Sequence, residues 1–152
     1  MSLKIAVVGC GRMGKLHARV VSELDEVTLA GVVDRNPATA DAVARQRECP
    51  IFASPEAAAA EVDAAIIAVP TMDHLLAAEP FLKAGKSVLI EKPLAPDVAT
   101  AERIMALARK TGAIVQVGHT ERYNPAVLAM KEHAFRPKFI EAHRISPFTF
   151  RS

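Results

Sequence analysis

The sequence has no tryptophan, one tyrosine and six phenylalanines among its 152 residues. Aromatic packing therefore cannot build the core. Aliphatic side chains and alanine must do so, because 51% of the residues are apolar. A chain of this length predicts one domain, with room for a fragment of a second.

Other absences exclude several classes of protein. Two cysteines, Cys10 and Cys49, are too few for a disulfide framework and lack the spacing of metal ligands. We therefore expect no bound metal. Reduced thiols, more than a disulfide between the two, favour a cytoplasmic protein. No run of about 18 apolar residues occurs, so we expect no membrane span. The net charge is only +2, without a dense Lys/Arg run, so we expect no nucleic-acid partner.

The apolar pattern alternates between short continuous runs and longer amphipathic stretches. Continuous runs are typical of strands buried on both faces of a parallel sheet. Their alternation with helices predicts an α/β fold with a doubly wound parallel sheet, the Rossmann type. The predicted strands are 4–8, 28–33, 64–69, 87–90 and 113–117, with a short one at 51–52. The predicted helices are 13–24, 38–47, 56–60, 72–84, 97–111 and 125–133.

The end of the sequence has a different pattern. A polar, turn-rich segment follows Gly118, and a strand-like pattern covers 139–148 after a short helix. We interpret residues 1–119 as a dinucleotide-binding domain. Residues 120–152 then hold a connecting helix and the first strand of an α+β substrate domain that is cut off. The apolar end at 148–150 would leave a strand edge uncovered, which predicts a homo-oligomer.

A glycine-rich turn follows the first predicted strand and opens the first helix: Gly9, Cys10, Gly11, Arg12, Met13 and Gly14. Gly9 permits a tight turn, Gly11 lets the backbone approach a diphosphate, and Gly14 lets the helix pack against the strand. The helix N-terminus offers N–H groups and partial positive charge to phosphates. An ordinary glycine-rich turn is the alternative.

An acidic residue strengthens the dinucleotide interpretation. Asp34 ends the second predicted strand, 20 residues after Gly14. A carboxylate there accepts hydrogen bonds from ribose hydroxyls and repels a 2′-phosphate, which favours NAD over NADP. Arg35 leaves NADP open, because it could pair with a 2′-phosphate, stack on the adenine or be solvated. Alone, Asp34 would more simply be a turn or cap residue.

Glu91, Lys92 and Pro93 follow the predicted strand 87–90. Ligands of open α/β sheets bind beyond the carboxyl ends of the strands. A lysine there can meet the nicotinamide ribose and a substrate hydroxyl, where its charge would favour alkoxide formation. A solvated loop lysine is the alternative.

These motifs together resemble the glucose–fructose oxidoreductase, inositol dehydrogenase and rhizopine-catabolism (Gfo/Idh/MocA) family. The resemblance covers essentially the whole chain, and the Glu-Lys-Pro segment is its most specific part. The tail from Glu141 looks more like the branch that oxidises UDP-N-acetylglucosamine at its 3-hydroxyl. The matching residues are Gly9 to Gly14, Asp34, Arg35, Val69, Pro70, Thr71, His74, Glu91, Lys92, Pro93, Gln116 to His119 and Arg122 to Pro125.

The resemblance implies hydride transfer between NAD and a secondary alcohol of a sugar, nucleotide sugar or cyclitol. Lys92 would be the catalytic residue of this chain, and Lys92-Pro93 is a candidate cis peptide bond. The general-base histidine of the family would lie beyond Ser152. The remaining matched side chains are expected to line the cofactor: Val69, Pro70, Thr71, His74, Gln116 and His119.

Several alternatives stay open at this point. His119 is more simply a loop histidine with a backbone partner, and we interpret His17 as a surface residue of the first helix. The chain could be a cofactor-binding module without turnover. It could also be another Rossmann reductase, such as a dihydrodipicolinate reductase, although the His-His segment of those enzymes is absent.

Overall fold

The computed structural model describes residues 2–132, 136, 138–141, 143 and 145. The chain divides into two compact units, Met1–His119 and Thr120–Ser152. The first contains five strands: β1 (Leu3–Val8), β2 (Val27–Val33), β3 (Ala64–Ile67), β4 (Ser87–Ile90) and β5 (Val115–Val117). Its helices are α1 (Arg12–Glu23), α2 (Pro37–Arg47), α3 (Pro55–Glu61), α4 (His74–Lys83) and α5 (Val98–Thr111). The second unit contains α6 (Pro125–Glu132).

The five strands form one parallel sheet in the order β2-β1-β3-β4-β5. Ile51, which belongs to none of the five strands, forms a single parallel bridge to Val32 of β2. If that bridge is counted as a rudimentary strand, the order becomes 3-2-1-4-5-6, the Rossmann order. The predicted strand at 51–52 is therefore confirmed only as a bridge. The strand order reverses between β1 and β3, which creates a crevice at their carboxyl ends.

The register aligns the last residues of all five strands. Val8 lies opposite Val33 on one side and Ile67 on the other, and Ile67, Ile90 and Val117 continue the row. The loops that follow the strands therefore leave the sheet along a single edge. This edge gathers Asp34, Gly9, Ala68, Glu91 and Gly118.

Two apolar layers sandwich the sheet. One packs α1 and α2 against it through Val7, Ala18, Val21, Val32 and Val43. The other packs α3, α4 and α5 through aliphatic residues and the fully buried Phe81. Alanine contributes many of the buried positions, as the composition predicted. The doubly wound fold is confirmed.

Local sequence signals set the helix ends. The side chains of Asn36, Ser54 and Asp97 cap α2, α3 and α5, respectively. Gly112 ends α5 with a φ of 75°, a left-handed conformation that glycine adopts without strain. The predicted element bounds mostly agree with these ends to within a few residues.

The predicted helix 72–84 and the predicted strand 139–148 need correction, whereas the turn-rich segment after Gly118 is confirmed. The predicted helix 72–84 is split, because a 3₁₀ turn at Thr71–Asp73 precedes α4. The turn-rich segment after Gly118 contains a further 3₁₀ turn, Thr120–Tyr123. Of the predicted strand 139–148, residues 139–141, 143 and 145 are described and none is in a strand; the others lie outside the described residues.

Over the part of the chain that the structure describes, no helix is long and apolar enough to cross a bilayer.

Candidate functional site

The glycine turn is held in place by its neighbours. Gly9 has a φ of 94°, and its N–H donates to the carbonyl oxygen of Val33 at 2.8 Å. A Cβ at Gly9 would lie 2.6 Å from the carbonyl oxygen of Ala68. Both the backbone conformation and the space therefore require glycine, and the turn lies directly against the loop after β3.

Gly14 and Gly11 have opposite surroundings. A Cβ at Gly14 would collide with the carbonyl oxygen of Gly9, so only glycine lets α1 approach the turn. A Cβ at Gly11 would meet nothing within 4 Å. Gly11 is also the N-cap of α1 and provides no side-chain cap, unlike the caps of α2, α3 and α5. The start of α1 is thus open, with the exposed Arg12 and Met13 beside it.

Asp34 is bonded to the glycine turn itself. Its Oδ2 accepts the backbone N–H of Cys10 at 2.6 Å, and its Oδ1 accepts that of Asn36 at 2.8 Å. Each carboxylate oxygen can accept more than one hydrogen bond, so both retain capacity for a ligand hydroxyl. The acid and the turn form one structural unit.

Arg35 has a partner that the sequence did not indicate. Its Nη2 lies 3.0 Å from Oδ2 of Asp73, in the 3₁₀ turn after β3. The Arg35 side chain is 82% exposed and that of Asp73 33%, so the pair is a surface ion pair of small net stability. Its position matters more, because it brings a second carboxylate beside Arg35, the residue weighed for 2′-phosphate recognition.

The loop after β3 carries four of the predicted contacts. Val69 is half-buried against the core, Pro70 is exposed and Thr71 is half-buried. His74 is fully buried, with Nε2 3.0 Å from the carbonyl oxygen of Val69 and Nδ1 3.1 Å from that of Leu94. These contacts join the loop after β3 to the loop after β4. His74 therefore supports the wall of the crevice, and its role towards the cofactor stays a prediction.

The Glu-Lys-Pro segment follows β4 directly. The peptide bond between Lys92 and Pro93 is cis, as the resemblance implied. Lys92 and Pro93 are exposed, whereas Glu91 is 5% exposed. The Oε1 of Glu91 lies 2.7 Å from Nε2 of His17, on α1.

The interpretation of His17 as a surface residue was wrong. Its side chain is 16% exposed and faces Glu91. His17 is three residues after Gly14 and four before Val21, both buried on α1. Helical periodicity therefore carried the signal that places it on the inward side.

Gln116 and His119 are the most peripheral of the predicted contacts. Gln116 is exposed on β5, and its Nε2 donates to the carbonyl oxygen of Val117 at 3.1 Å. His119 is exposed, and its backbone N–H donates to the same carbonyl oxygen at 2.7 Å. Gln116 lies on β5, the outermost strand of the sheet, and His119 lies two residues after its end.

Cys10 is buried beneath the turn. Burial, reinforced by the charge of Asp34, raises the pKa of the Cys10 thiol to about 12. Its role in the turn is apolar, because the thiol stays protonated at neutral pH. Within the described ranges, no group of three or more His, Cys, Asp or Glu side chains is arranged to hold a metal ion.

Residues 3–119 match the model of an oxidoreductase family with an NAD-binding Rossmann fold. The chain belongs to the Gfo/Idh/MocA oxidoreductase family. The Gfo/Idh/MocA match covers the glycine turn, Asp34 and the Glu-Lys-Pro segment, so this unit is an NAD-binding Rossmann domain. The match favours this assignment over a dihydrodipicolinate reductase.

Relatives within the Gfo/Idh/MocA family share the sequence and the fold. The chain is 36% identical over 151 residues to UDP-N-acetylglucosamine 3-dehydrogenase of Acidithiobacillus ferrooxidans, covering 99% of this chain and 48% of that protein. It is 33% identical over 133 residues to inositol 2-dehydrogenase of Rhizobium meliloti, covering 87% and 40%. The chain thus spans less than half the length of these curated relatives.

Solved structures give the same result. A structure of the Acidithiobacillus ferrooxidans UDP-N-acetylglucosamine 3-dehydrogenase superposes with a TM-score of 0.82 at 34% identity, covering 87% of this chain and 43% of that one. Scyllo-inositol dehydrogenase from Lactobacillus casei, with bound NAD(H) and scyllo-inositol, gives 0.81 at 27% identity, covering 87% and 40%.

The residues present fit NAD. The open space over Gly11 admits a diphosphate, and the uncapped start of α1 offers N–H groups to it. Asp34 holds a carboxylate next to this space, where the ribose of the adenosine would lie.

Proposed function

We propose that this domain holds NAD(H) for hydride transfer with a secondary alcohol of a sugar, nucleotide sugar or cyclitol. The observation that carries the proposal is the placement of Lys92. It leaves the sheet at the same edge as the glycine turn, and the Glu91 beside it contacts the helix that the turn opens. Both relatives named above are dehydrogenases of this substrate range.

Bound NAD would supply the hydride acceptor, its nicotinamide ring. In the proposal, Gly9, Gly11 and Gly14 admit the diphosphate, and Asp34 accepts hydrogen bonds from the ribose. Lys92 provides a cation near the substrate hydroxyl, which lowers the free energy of the developing alkoxide. Arg12, Met13, Val69, Pro70 and Thr71 form the rim of the cofactor site, and we assign Gln116 and His119 to its outer edge.

A nucleotide sugar is our proposed substrate class. The similarity to UDP-N-acetylglucosamine 3-dehydrogenase extends over 99% of the chain, beyond the Rossmann unit into residues 120–152. We infer that residues 120–152 begin the substrate domain and that 1–119 form the cofactor domain. The general base would come from the part of the family's second domain that this sequence does not include.

The first experiment is a titration of the chain with NADH, followed by fluorescence or calorimetry. We expect saturable binding; no binding of NADH or NAD would contradict the proposal. The second follows NADH absorbance with NAD and either UDP-N-acetylglucosamine or myo-inositol. If the unmodified chain turns over and Lys92→Ala does not, the result supports catalysis by this chain. Binding without turnover supports the alternative, a cofactor module that needs a partner.

We also propose a cytoplasmic homo-oligomer. The support for location is the pair of free cysteines, Cys10 and Cys49. The support for self-association is the apolar pattern at 148–150, which lies outside the described residues. Light scattering over a range of concentrations tests the second point, and a monomeric mass throughout would contradict it.

A further inference from the structure

Glu91 is a buried carboxylate at the centre of the candidate site. Its side chain is 7% exposed, and in the described part of the chain it is the only charged residue classed as buried apart from the titratable His74. A buried charge is costly unless hydrogen bonds satisfy it. Two donors do so: Nε2 of His17 at 2.7 Å from Oε1, and the backbone N–H of Lys92 at 3.2 Å from Oε2.

The space around this carboxylate is tightly restricted. Gly118, directly after β5, would place a Cβ 3.1 Å from Oε1 and 3.3 Å from Oε2 of Glu91. The backbone N–H of Glu91 donates to the carbonyl oxygen of Ile67 at 2.9 Å. The carboxylate therefore has little freedom to move, and its contacts come from α1, the end of β4 and the end of β5.

His17 and Glu91 connect two parts of the site that lie far apart in sequence. His17 is on the helix whose first turn, at Gly11, is open for the diphosphate. Glu91 precedes Lys92 and bonds to its backbone N–H. The hydrogen bond between His17 and Glu91 thus sets the position of the lysine segment relative to the helix that holds the phosphates.

We propose that His17 is a positioning residue, which acts through Glu91 to orient the Lys92 backbone against α1. This inference rests on the proposed function, because it assumes that Lys92 meets the nicotinamide half of the cofactor. Removing His17 alone leaves the buried Glu91 carboxylate with one donor fewer, so a loss of stability is expected as well. The positioning role is therefore judged from the difference between NADH and ADP binding in variants that remain folded.

The test compares His17→Leu with His17→Gln, whose amide nitrogen can reach Glu91 as the imidazole Nε2 does. Arg19→Gln is the matched control, since Arg19 lies on the same helix and its exposed side chain pairs with the exposed Glu23 at 3.7 Å. Each variant is titrated with NADH and with ADP, which lacks the nicotinamide ribose. Circular dichroism confirms that each variant is folded.

His17→Leu is expected to weaken NADH binding by about 10-fold, as the loss of a hydrogen bond to a buried charge predicts, and ADP binding by less than about 2-fold. His17→Gln should restore most of the NADH affinity, and Arg19→Gln should change neither. An equal loss of NADH and ADP affinity, or no loss of either, would overturn the positioning role.

A measurement on the unmodified chain does not depend on a variant folding. The nitrogen-15 signals of the His17 ring, assigned with His17→Gln, should shift when NADH is added and stay in place when ADP is added. Equal shifts with both nucleotides, or none with NADH, would overturn the inference alone. Failure of the unmodified chain to bind NADH would instead overturn the proposed function, and this inference with it.

Discussion

The backbone N–H of Cys10 donates a 2.6 Å hydrogen bond to Oδ2 of Asp34. The carboxylate after β2 is thereby joined to the glycine turn after β1, although 24 positions separate the two residues. The same side chain that would meet the ribose also fixes the turn that would meet the diphosphate. Its substitution should therefore affect both the fold and the binding site.

We expect Asp34→Asn to weaken NADH binding by about 10-fold, because a neutral amide is a poorer acceptor for ribose hydroxyls. NADPH binding should fall less, since the repulsion of its 2′-phosphate is removed. Asp63→Asn is the control. Asp63 also accepts a backbone N–H, that of Lys4 at 2.9 Å, but near the start of β1. Equal NADH affinity in wild type and Asp34→Asn would contradict the role of Asp34.

The ion pair of Arg35 and Asp73 predicts a shift in nucleotide preference. In Asp73→Ala, the Arg35 guanidinium loses its carboxylate partner and becomes available to a 2′-phosphate. We expect the ratio of NADPH to NADH affinity to rise about 3- to 10-fold, in line with one charge-assisted contact. The double variant Arg35→Ala/Asp73→Ala should lose the gain. Asp41→Ala, which breaks the exposed pair of Asp41 with Arg45, should leave the ratio unchanged.

The two glycines at the start of α1 should separate folding from binding. Gly14→Ala places a methyl group into the backbone of Gly9 and should lower the free energy of unfolding by about 3 kcal/mol or more. Gly11→Ala places it in open space and should cost about 1 kcal/mol or less.

Gly11→Ala, which should hardly change the stability, should strongly weaken NADH binding. Gly11→Ala fills the space that we assign to the diphosphate, so NADH affinity should fall at least about 10-fold in a folded protein. Urea denaturation and NADH titration of both variants provide the measurements. A Gly11→Ala protein that is unstable, or one that binds NADH normally, would contradict the assignment.

Cys10 should be chemically inert in the folded chain. Burial raises its pKa to about 12, so the reactive thiolate is scarce at neutral pH. In Cys49→Ala, where Cys10 is the single thiol, disulfide reagents at pH 8 should react about 100-fold or more slower than in guanidinium. Similar native and unfolded rates would show that the thiol is accessible.

The sign of the pH effect follows from the same shift. Because the pKa is raised in the folded state, folding favours the protonated thiol. That contribution to the unfolding free energy is present below the ordinary pKa of 9.0 and is lost as the pH rises towards 12. The stability difference between Cys49→Ala and the Cys10→Ala/Cys49→Ala double variant, measured by denaturation from pH 7 to 11, should therefore shrink as the pH rises.

Local signals were sufficient for much of the fold. Continuous apolar runs predicted the five strands, and the tight turn at Gly9 and the close helix packing at Gly14 were interpreted as the structure has them. These predictions succeeded because each depends on a period, a cap or a conformational requirement within a few neighbouring residues. The predicted helix 72–84 was inaccurate at its start, because the side-chain pattern does not distinguish a 3₁₀ turn from the first turn of an α-helix.

The contacts of the site residues were harder to predict from the sequence. Arg35 was weighed as a phosphate ligand, an adenine-stacking residue or a solvated residue. Its side chain is 82% exposed, and its contact with Asp73, on a loop after another strand, was not foreseen. His74 was expected to line the cofactor, but its contacts with the carbonyl oxygens of Val69 and Leu94 were not foreseen. Neither contact leaves a pattern in the sequence, because each joins residues brought together only by the parallel sheet.

The sequence by itself determined the alternation of strands and helices, the glycines of the phosphate turn, and the acid and lysine that follow two of the strands. These are properties of short segments, governed by side-chain periodicity and backbone sterics. Only the tertiary structure decided that Asp34 bonds to the turn, that Asp73 pairs with Arg35, and that His17 meets Glu91. Those contacts depend on strand order and register, which align the carboxyl ends of separate strands along one edge of the sheet.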